Sequence, residues 1–196
     1  MSKYFFKYII YFMYNHLIWK EENRKIVYSC PVFDVTERIS RSPKNKAKTF
    51  SVLEAPDFAI IIPALDTEKG REFIMVRQWR HGIKELSLEF PGGIIEKNED
   101  CRDAALRELK EETGYSAKKI TKLGELGPNP AIMSNTAHFF LAEDLTSGGP
   151  QDLDEDEYVS VETVPWKDVL KGMGKAPYVH ALMATALALY LKHVDI

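Results

Sequence analysis

The segment GGIIEKNEDCRDAALRELKEETGY, residues 92–115, predicts the central helix of the fold and the chemistry attached to it. The pattern favours a helix over residues 101–113, with Asp100 and Asp103 placed as in a capping box made of shorter acids. Gly114 follows where a helix commonly takes its C-terminal glycine. The segment therefore predicts a helix with defined ends.

Three glutamates of this helix have a spacing that puts them on one face. Glu108 precedes Glu111 by three residues and Glu112 by four, and like charges at these spacings repel each other. Arg107 lies four residues before Glu111 and is placed to contact it. Carboxylate oxygens grouped on one face suit Mg²⁺, with Mn²⁺ as the alternative. The competing interpretation is an acidic helix face that only contacts solvent.

Hydrophobic patterning around the helix predicts an α/β fold. Alternating residues indicate an N-terminal antiparallel strand pair at 26–37 and 48–54. The apolar runs FAIIIPAL and EFIMVRQW flank DTEKG and predict a hairpin. Further strands are predicted at 118–127, 136–143 and 158–164, a helix with Pro165 as its first residue, and a C-terminal helix over 177–193. Strands on both sides of a central helix indicate an α/β/α sandwich with a mixed sheet.

Composition limits the classes of function. The chain has 196 residues, of which 45% are hydrophobic and 28% charged, as in a globular protein with a substantial core. Its net charge of -3 gives no basic surface for gripping nucleic acid, so the expected partner is a small molecule. Cys30 and Cys101 are the only cysteines and predict neither a disulfide framework nor a zinc site, which favours the cytoplasm.

The predicted organisation has three parts: an aromatic-rich extension (1–20), N-terminal strands (21–55) and the main domain (56–196). The apolar run of this extension is shorter than the roughly 20 residues that a membrane-spanning helix needs. No small-residue cleavage site follows it. A helix packed on the body or on a partner subunit is the favoured interpretation; membrane-surface attachment and upstream sequence preceding a start at Met13 stay open.

The quoted segment resembles the Nudix box at each of its fixed positions. These positions are Gly93, Glu99, Arg107, Glu108, Leu109, Glu111, Glu112, Gly114 and Tyr115. Resemblance to the Nudix hydrolases implies metal-dependent attack of water on a diphosphate that joins a nucleoside to another group.

The resemblance also implies roles for individual residues. Glu108, Glu111 and Glu112 match metal ligands, with Glu112 also catalytic, and the carbonyl of Gly92 matches a backbone ligand. Many relatives carry Ala where this chain has Gly92, which leaves that carbonyl in place. Four further residues match structural positions of the box: Gly93, Glu99, Arg107 and Gly114. Of these, Glu99 and Arg107 match positions that brace the loop and the helix.

Three stretches outside the box resemble the ADP-ribose and nucleotide-sugar pyrophosphatase branch: VRQWRHG, LEFPGG and PNPAIMSNTAHFFLAEDL. Pro130, sixteen residues after Gly114, matches a proline of that branch. Arg80 matches a diphosphate-binding arginine and Glu89 an acid near the metal site. Phe50 and Trp79 are candidates for stacking on the base, against the alternative of a core or interface role.

An acidic loop, QDLDEDEYVSVETV at 151–164, precedes the last predicted strand. A charge run of this kind is usually solvated. In the branch that the chain resembles, such a loop supplies the glutamate that orients or deprotonates the attacking water. Glu155 and Glu157 are both candidates for that glutamate.

The resemblance implies a homodimer and hydrolysis of ADP-ribose or a related nucleotide sugar. Two alternatives remain at this point: a nucleoside triphosphate pyrophosphohydrolase, and a non-catalytic nucleotide-sugar sensor on the same fold. Pro130 and the RQWRHG stretch count against the first. The three glutamates of the box count against the second.

Overall fold

The computed structural model describes residues 13–195. In this range the chain forms a short 3-10 helix (Asn15–Leu17), three α-helices and ten strands. The helices are α1 (Cys101–Thr113), α2 (Trp166–Gly172) and α3 (Ala181–His193). The strands are β1 (Lys20–Ser29), β2 (Asp34–Arg41), β3 (Ala47–Glu54), β4 (Phe58–Thr67), β5 (Gly70–Arg80), β6 (Glu85–Glu89), β7 (Gly92–Ile94), β8 (Tyr115–Leu126), β9 (Ala137–Ser147) and β10 (Ser160–Pro165).

The chain divides into two compact units. The smaller contains the described residues up to Ala55 together with Asn129–Ser134, and the larger contains the rest. In the smaller unit β1, β2 and β3 form an antiparallel sheet in that order. The segment Asn129–Ser134 adds to this sheet through hydrogen bonds between Leu53 and the backbone of Ile132 and Ser134.

The larger unit is built on a mixed sheet. Its strands follow the order β10-β5-β4-β9-β8, with β6 paired to β5 and β7 paired to β4. The contact between β4 and β9 is parallel, whereas the other pairs are antiparallel. This arrangement confirms the predicted α/β fold with a mixed sheet.

Both faces of the sheet are covered by helices. Successive residues of a strand point to opposite faces, so alternate residues of β4 pack in two different clusters. Ala59 and Ile61 of β4 pack with Ala104, Ala105 and Leu109 of α1. The alternate β4 residues Ile60, Ile62 and Ala64 pack in a second cluster with Met183, Ala186, Leu187 and Tyr190 of α3. The near-continuous apolar run of β4 is thus explained by burial on two sides.

The N-terminal strand prediction needs correction. Residues 26–37 were predicted as one strand of a pair, but they contain the end of β1, a turn, and the start of β2. Pro31 in the turn lacks the backbone N–H that a sheet ladder requires. The result is a three-stranded sheet in place of a strand pair. Strands β6 and β7 were not predicted, since they are short and lie beside the Pro-Gly-Gly turn.

Helix α1 confirms the predicted range of 101–113. Asp100 is its N-cap and accepts a hydrogen bond from the N–H of Arg102. The reciprocal bond of a capping box, in which the N–H of Asp100 would donate to Asp103, does not occur among the described residues, so the cap is a single acceptor. Gly114 ends the helix in the left-handed conformation, with φ of 71°. A Cβ at this position would also overlap the carbonyl oxygen of Gly149.

The C-terminal part starts later than predicted. Pro165 precedes α2 as its N-cap residue, and the last helix begins at Ala181 instead of residue 177. The extension at residues 1–20 lies mostly outside the described residues. Between residues 13 and 195, no helix is long and apolar enough to cross a membrane.

Candidate active site

The acidic face of α1 is organised around Arg107. Its guanidinium donates to Glu99 through Nε (2.9 Å) and Nη2 (3.1 Å), and to Glu108 (2.8 Å) and Glu111 (2.9 Å) through Nη1. A further bond from Nη2 reaches the carbonyl of Ile94 in β7, at 3.0 Å. One arginine thus connects three carboxylates of the box to the strand that precedes the helix.

The carboxyl group of Glu112 is buried and that of Glu108 is partly buried. Burial raises the pKa of Glu112 to about 8, and the charges of Glu108 and Glu157 add to this rise against a hydrogen bond from the N–H of Gly92 (2.9 Å). Burial also raises the pKa of Glu108, opposed by Arg107 and assisted by Glu111 and Glu157. Arg107 and Arg80 therefore do not fully offset the effect of burial and of the neighbouring acids on these two pKa values.

Strand β7 brings the backbone against the two buried acids. Gly93 lies so close to Glu108 that a Cβ at this position would overlap the carboxylate. Gly92 pairs with Ile60 of β4, and a Cβ there would overlap the carbonyl oxygen of Ala59. Glycine at both positions is what allows this close approach.

The side chains of this face present oxygen donors that suit a divalent cation. Across residues 13–195, no three His, Cys, Asp or Glu side chains already converge as a metal cage. Glu108 and Glu111 instead contact Arg107, and Glu112 contacts the N–H of Gly92. The chemistry nevertheless fits a hard cation, because burial disfavours the ionised forms of Glu108 and Glu112, and a bound Mg²⁺-type ion would stabilise them.

Arg80 and Glu89 form a bidentate ion pair beside this face. Arg80 Nε and Nη2 lie 2.9 and 2.6 Å from the two carboxylate oxygens. Burial alone would raise the pKa of Glu89, but the hydrogen bonds and charge of Arg80 lower it below its ordinary value. Glu89 thus engages Nε and Nη2 of Arg80, and among the described residues Nη1 has no hydrogen-bond partner and is left for a ligand.

The acidic loop is attached to the C-terminal end of α1. Gln151 donates from its side chain to the carbonyls of Glu112 and Val159, and the N–H of Asp152 donates to the carbonyl of Glu111 (2.9 Å). These bonds satisfy two of the carbonyls that a helix end leaves open. Sequence reasoning missed Gln151, whose only signal was its position just before the acidic run.

The loop places the two candidate bases differently. The charge of Glu157 contributes to the raised pKa of both Glu108 and Glu112, whereas Glu155 is not among the main causes for either. Both side chains are exposed. Glu157 is therefore the member of the pair that lies electrostatically near the buried acids.

The two aromatic candidates lie in different units. Phe50 belongs to β3 of the smaller unit and packs edge-on against Trp19, with ring centroids 5.1 Å apart. Trp79 lies near the end of β5 in the larger unit, next to Arg80. Phe50 and Trp79 are 36% and 49% exposed, and the ammonium of Lys48 lies over the Phe50 ring, 5.4 Å from its centroid.

Comparison with known proteins agrees with this geometry. The NUDIX domain model matches residues 56–184. An ADP-ribose pyrophosphatase from Bacillus subtilis is 36% identical over 146 residues, 74% of this chain and 77% of that protein. The ADP compounds hydrolase NudE of Escherichia coli is 33% identical over 107 residues, 55% of this chain and 54% of its own.

Two further similarities extend the comparison. The ADP-sugar pyrophosphatase of Mus musculus is 30% identical over 141 residues, 65% of each chain. A crystal structure of an ADP compounds hydrolase matches with a TM-score of 0.79 at 24% identity, covering 91% of this chain and 96% of that one, which supports the fold. From the domain match and the Bacillus subtilis relative, the chain belongs to the Nudix family of hydrolases.

Proposed function

We propose that this protein hydrolyses the diphosphate of ADP-ribose, or of a related nucleotide sugar, to a nucleoside monophosphate and a sugar phosphate. The observation that carries the proposal is the grouping of the buried Glu112 and the partly buried Glu108 against Gly92 and Gly93 of β7, with the charge of Glu157 acting on both acids. The relatives named for ADP-ribose and ADP-sugar hydrolysis support this substrate class.

Glu108, Glu111 and Glu112 would hold the divalent cation, together with the carbonyl of Gly92. Divalent-metal dependence is general among Nudix hydrolases, and we propose Mg²⁺, with Mn²⁺ as the alternative. When bound, such a cation polarises phosphoryl oxygens and lowers the pKa of bound water. Arg107 bonds both Glu99 and the carbonyl of Ile94, and so holds α1 against β7 and fixes the position of the proposed metal ligands.

Other residues of the larger unit are assigned to substrate binding and to activation of the attacking water. Arg80, oriented by Glu89, binds a diphosphate oxygen through its remaining nitrogen. Glu157 orients the attacking water and accepts its proton, and Gln151 keeps the acidic loop against α1. Trp79, next to Arg80 in β5, is proposed to stack on the base.

A substrate panel tests the proposal. With Mg²⁺ present, released phosphate is read after coupling to a phosphatase, using ADP-ribose, other nucleotide sugars and nucleoside triphosphates. We expect the highest kcat/KM on ADP-ribose or another ADP sugar. Preference for a nucleoside triphosphate would support the pyrophosphohydrolase alternative, and binding without any turnover would support the sensor.

We also propose that the protein is a cytoplasmic homodimer that forms through the three-stranded sheet. The support within the structure is the exposure of apolar side chains on β1: Ile26, Val27 and Tyr28 are 59%, 48% and 57% exposed. Such exposure on consecutive residues of one strand is typical of a protein contact. The cytoplasmic location is supported by two free cysteines, Cys30 and Cys101.

A further inference from the structure

A cavity in the larger unit contains a histidine that the proposed reaction does not yet use. The cavity measures about 230 Å³ and its wall combines a polar side with an apolar side. The polar side contains Arg80, Glu89 and His180, and Gly92 and Gly93 of the box border it. The apolar side consists of Phe58, Ile60, Phe90, Ile94, Leu182 and Met183.

The hydrogen bonding of His180 fixes which ring nitrogen carries the proton. His180 is the N-cap of α3, and its Nδ1 accepts a hydrogen bond from the backbone N–H of Leu182 at 3.3 Å. A backbone N–H can only donate, so Nδ1 is unprotonated and the neutral ring carries its proton on Nε2. Burial lowers the pKa of His180, which favours this neutral form.

The remaining nitrogen of His180 is available to a ligand. Nδ1 faces the backbone of its own helix, so Nε2 lies on the opposite side of a ring that lines the cavity. Within residues 13–195 the structure gives Nε2 no hydrogen-bond partner. Nε2 is not one of the fully buried side-chain atoms that lack a partner in this range, so it is accessible from the cavity, where a ligand oxygen can accept its hydrogen.

The surroundings of His180 indicate the type of oxygen. Glu89 and Arg80 both affect the pKa of His180, in opposite directions, and they neutralise each other as a bidentate ion pair. The surroundings of Nε2 thus carry no net charge, which suits a neutral hydroxyl. The apolar wall suits the carbon face of a sugar ring, whereas the nearby guanidinium of Arg80 suits the phosphate to which that sugar is attached.

We propose that His180 is a specificity residue whose Nε2–H donates a hydrogen bond to a hydroxyl of the sugar beyond the diphosphate, held in this cavity. The proposal rests on the proposed function, since it assigns the sugar half of that substrate. It also explains why a histidine serves as the cap of α3, where Ser, Thr, Asp and Asn are the preferred residues.

His180→Asn separates the two roles of this side chain. Asparagine is a good N-cap and can accept from the N–H of Leu182, but its shorter amide does not reach the position of Nε2. His180→Ala removes both the cap and the donor. His193→Asn, an exposed position at the other end of α3, is the matched control.

Each variant is assayed with Mg²⁺ on ADP-ribose and on the β-methyl ester of ADP, which has the diphosphate but no second sugar. Binding of both compounds is also measured by calorimetry in a metal chelator. For His180→Asn we expect a KM and a Kd for ADP-ribose about tenfold higher, the scale of one neutral hydrogen bond, with kcat nearly unchanged. Values for the methyl ester, and the Tm, stay at those of the wild type.

Two results would overturn the assignment of His180. One is unchanged KM and Kd for ADP-ribose in His180→Asn, and the other is an equal loss on both compounds. A lower Tm for His180→Ala alone indicates only the capping role. If the wild type hydrolyses none of the nucleotide sugars yet hydrolyses a nucleoside triphosphate, it is the proposed function that fails.

Discussion

Glu157 and Glu155 differ by two positions in the chain, yet only Glu157 is a main contributor to the raised pKa values of the buried acids of α1. We therefore expect Glu157→Gln to lower kcat by a hundredfold or more, within the range of about a hundred- to ten-thousandfold for general-base catalysis. KM and the Mg²⁺ requirement should change little. Glu155→Gln is the matched control, and a steady-state assay in which it alone lost activity would reverse the assignment.

Glu112 gives a prediction about the stability of the metal-free protein. Its pKa of about 8 in the folded state exceeds the ordinary value of 4.5, so the folded protein keeps a proton that the unfolded chain releases. Stability should therefore fall as pH rises from near 4.5 to about 8, by up to a few kcal/mol at about 1.4 kcal/mol per pKa unit.

Glu112→Gln removes the group whose ionisation causes this loss of stability at high pH. In a chelator, its Tm should exceed that of the wild type by a larger margin at pH 8 than at pH 5. Glu68→Gln, an exposed position in the turn between β4 and β5, should show no such difference. A Tm gain that is equal at both pH values would mean that Glu112 ionises normally in the fold.

The sequence supports some residue assignments better than others. Glu108, Glu111 and Glu112 could be predicted because helical spacing alone puts them on one face. The choice between Glu155 and Glu157 could not, since it depends on how Gln151 attaches the loop to the end of α1. His180 was also missed, because its environment comes from β6 and β7, distant in the chain.

At the scale of elements, the close contact between β7 and α1 predicts that adding one methyl group at Gly93 weakens the response to Mg²⁺. In Gly93→Ala, the new Cβ would overlap the carboxylate of Glu108. That carboxylate ends a flexible side chain that can rotate away. We expect a small change in Tm but a weaker response to Mg²⁺, by about tenfold or more, because a proposed ligand is displaced.

Gly82→Ala is the control for this substitution, since a Cβ at Gly82 would meet no atom within 4 Å. Metal titration of activity and thermal unfolding are measured on both variants. A Gly93→Ala protein with normal Mg²⁺ dependence would show that Glu108 need not occupy its present position. Loss of folding would instead point to a role in the pairing of β4 with β7.

Elements differ in how far the sequence predicts them. Helix α1 is predicted to the residue because Asp100 and Gly114 are local signals at its two ends. The first two strands were merged, because the pairing of β1 with β2 depends on contacts and not on local pattern. The start of α3 was predicted four residues early, since alanine and proline around residue 177 do not identify His180 as the cap.

At the scale of the whole molecule, the proposed homodimer predicts a dependence on β1. The double substitution Ile26→Asp and Tyr28→Asp places charge on an exposed apolar strand and should shift the protein from dimer to monomer in sedimentation velocity. Leu86→Asp, at a 52% exposed apolar position in the larger unit, should leave the mass unchanged. A wild type that sediments as a monomer would contradict the dimer.

The most direct test of the central claim is the product analysis of ADP-ribose incubated with the wild type and with Glu112→Gln at saturating Mg²⁺. The wild type should form AMP and ribose 5-phosphate in equal amounts. Glu112→Gln, folded in the same way, should be slower by about a thousandfold or more, because several kcal/mol of transition-state stabilisation are lost. Absence of AMP with the wild type, or near-native turnover by Glu112→Gln, would contradict the account.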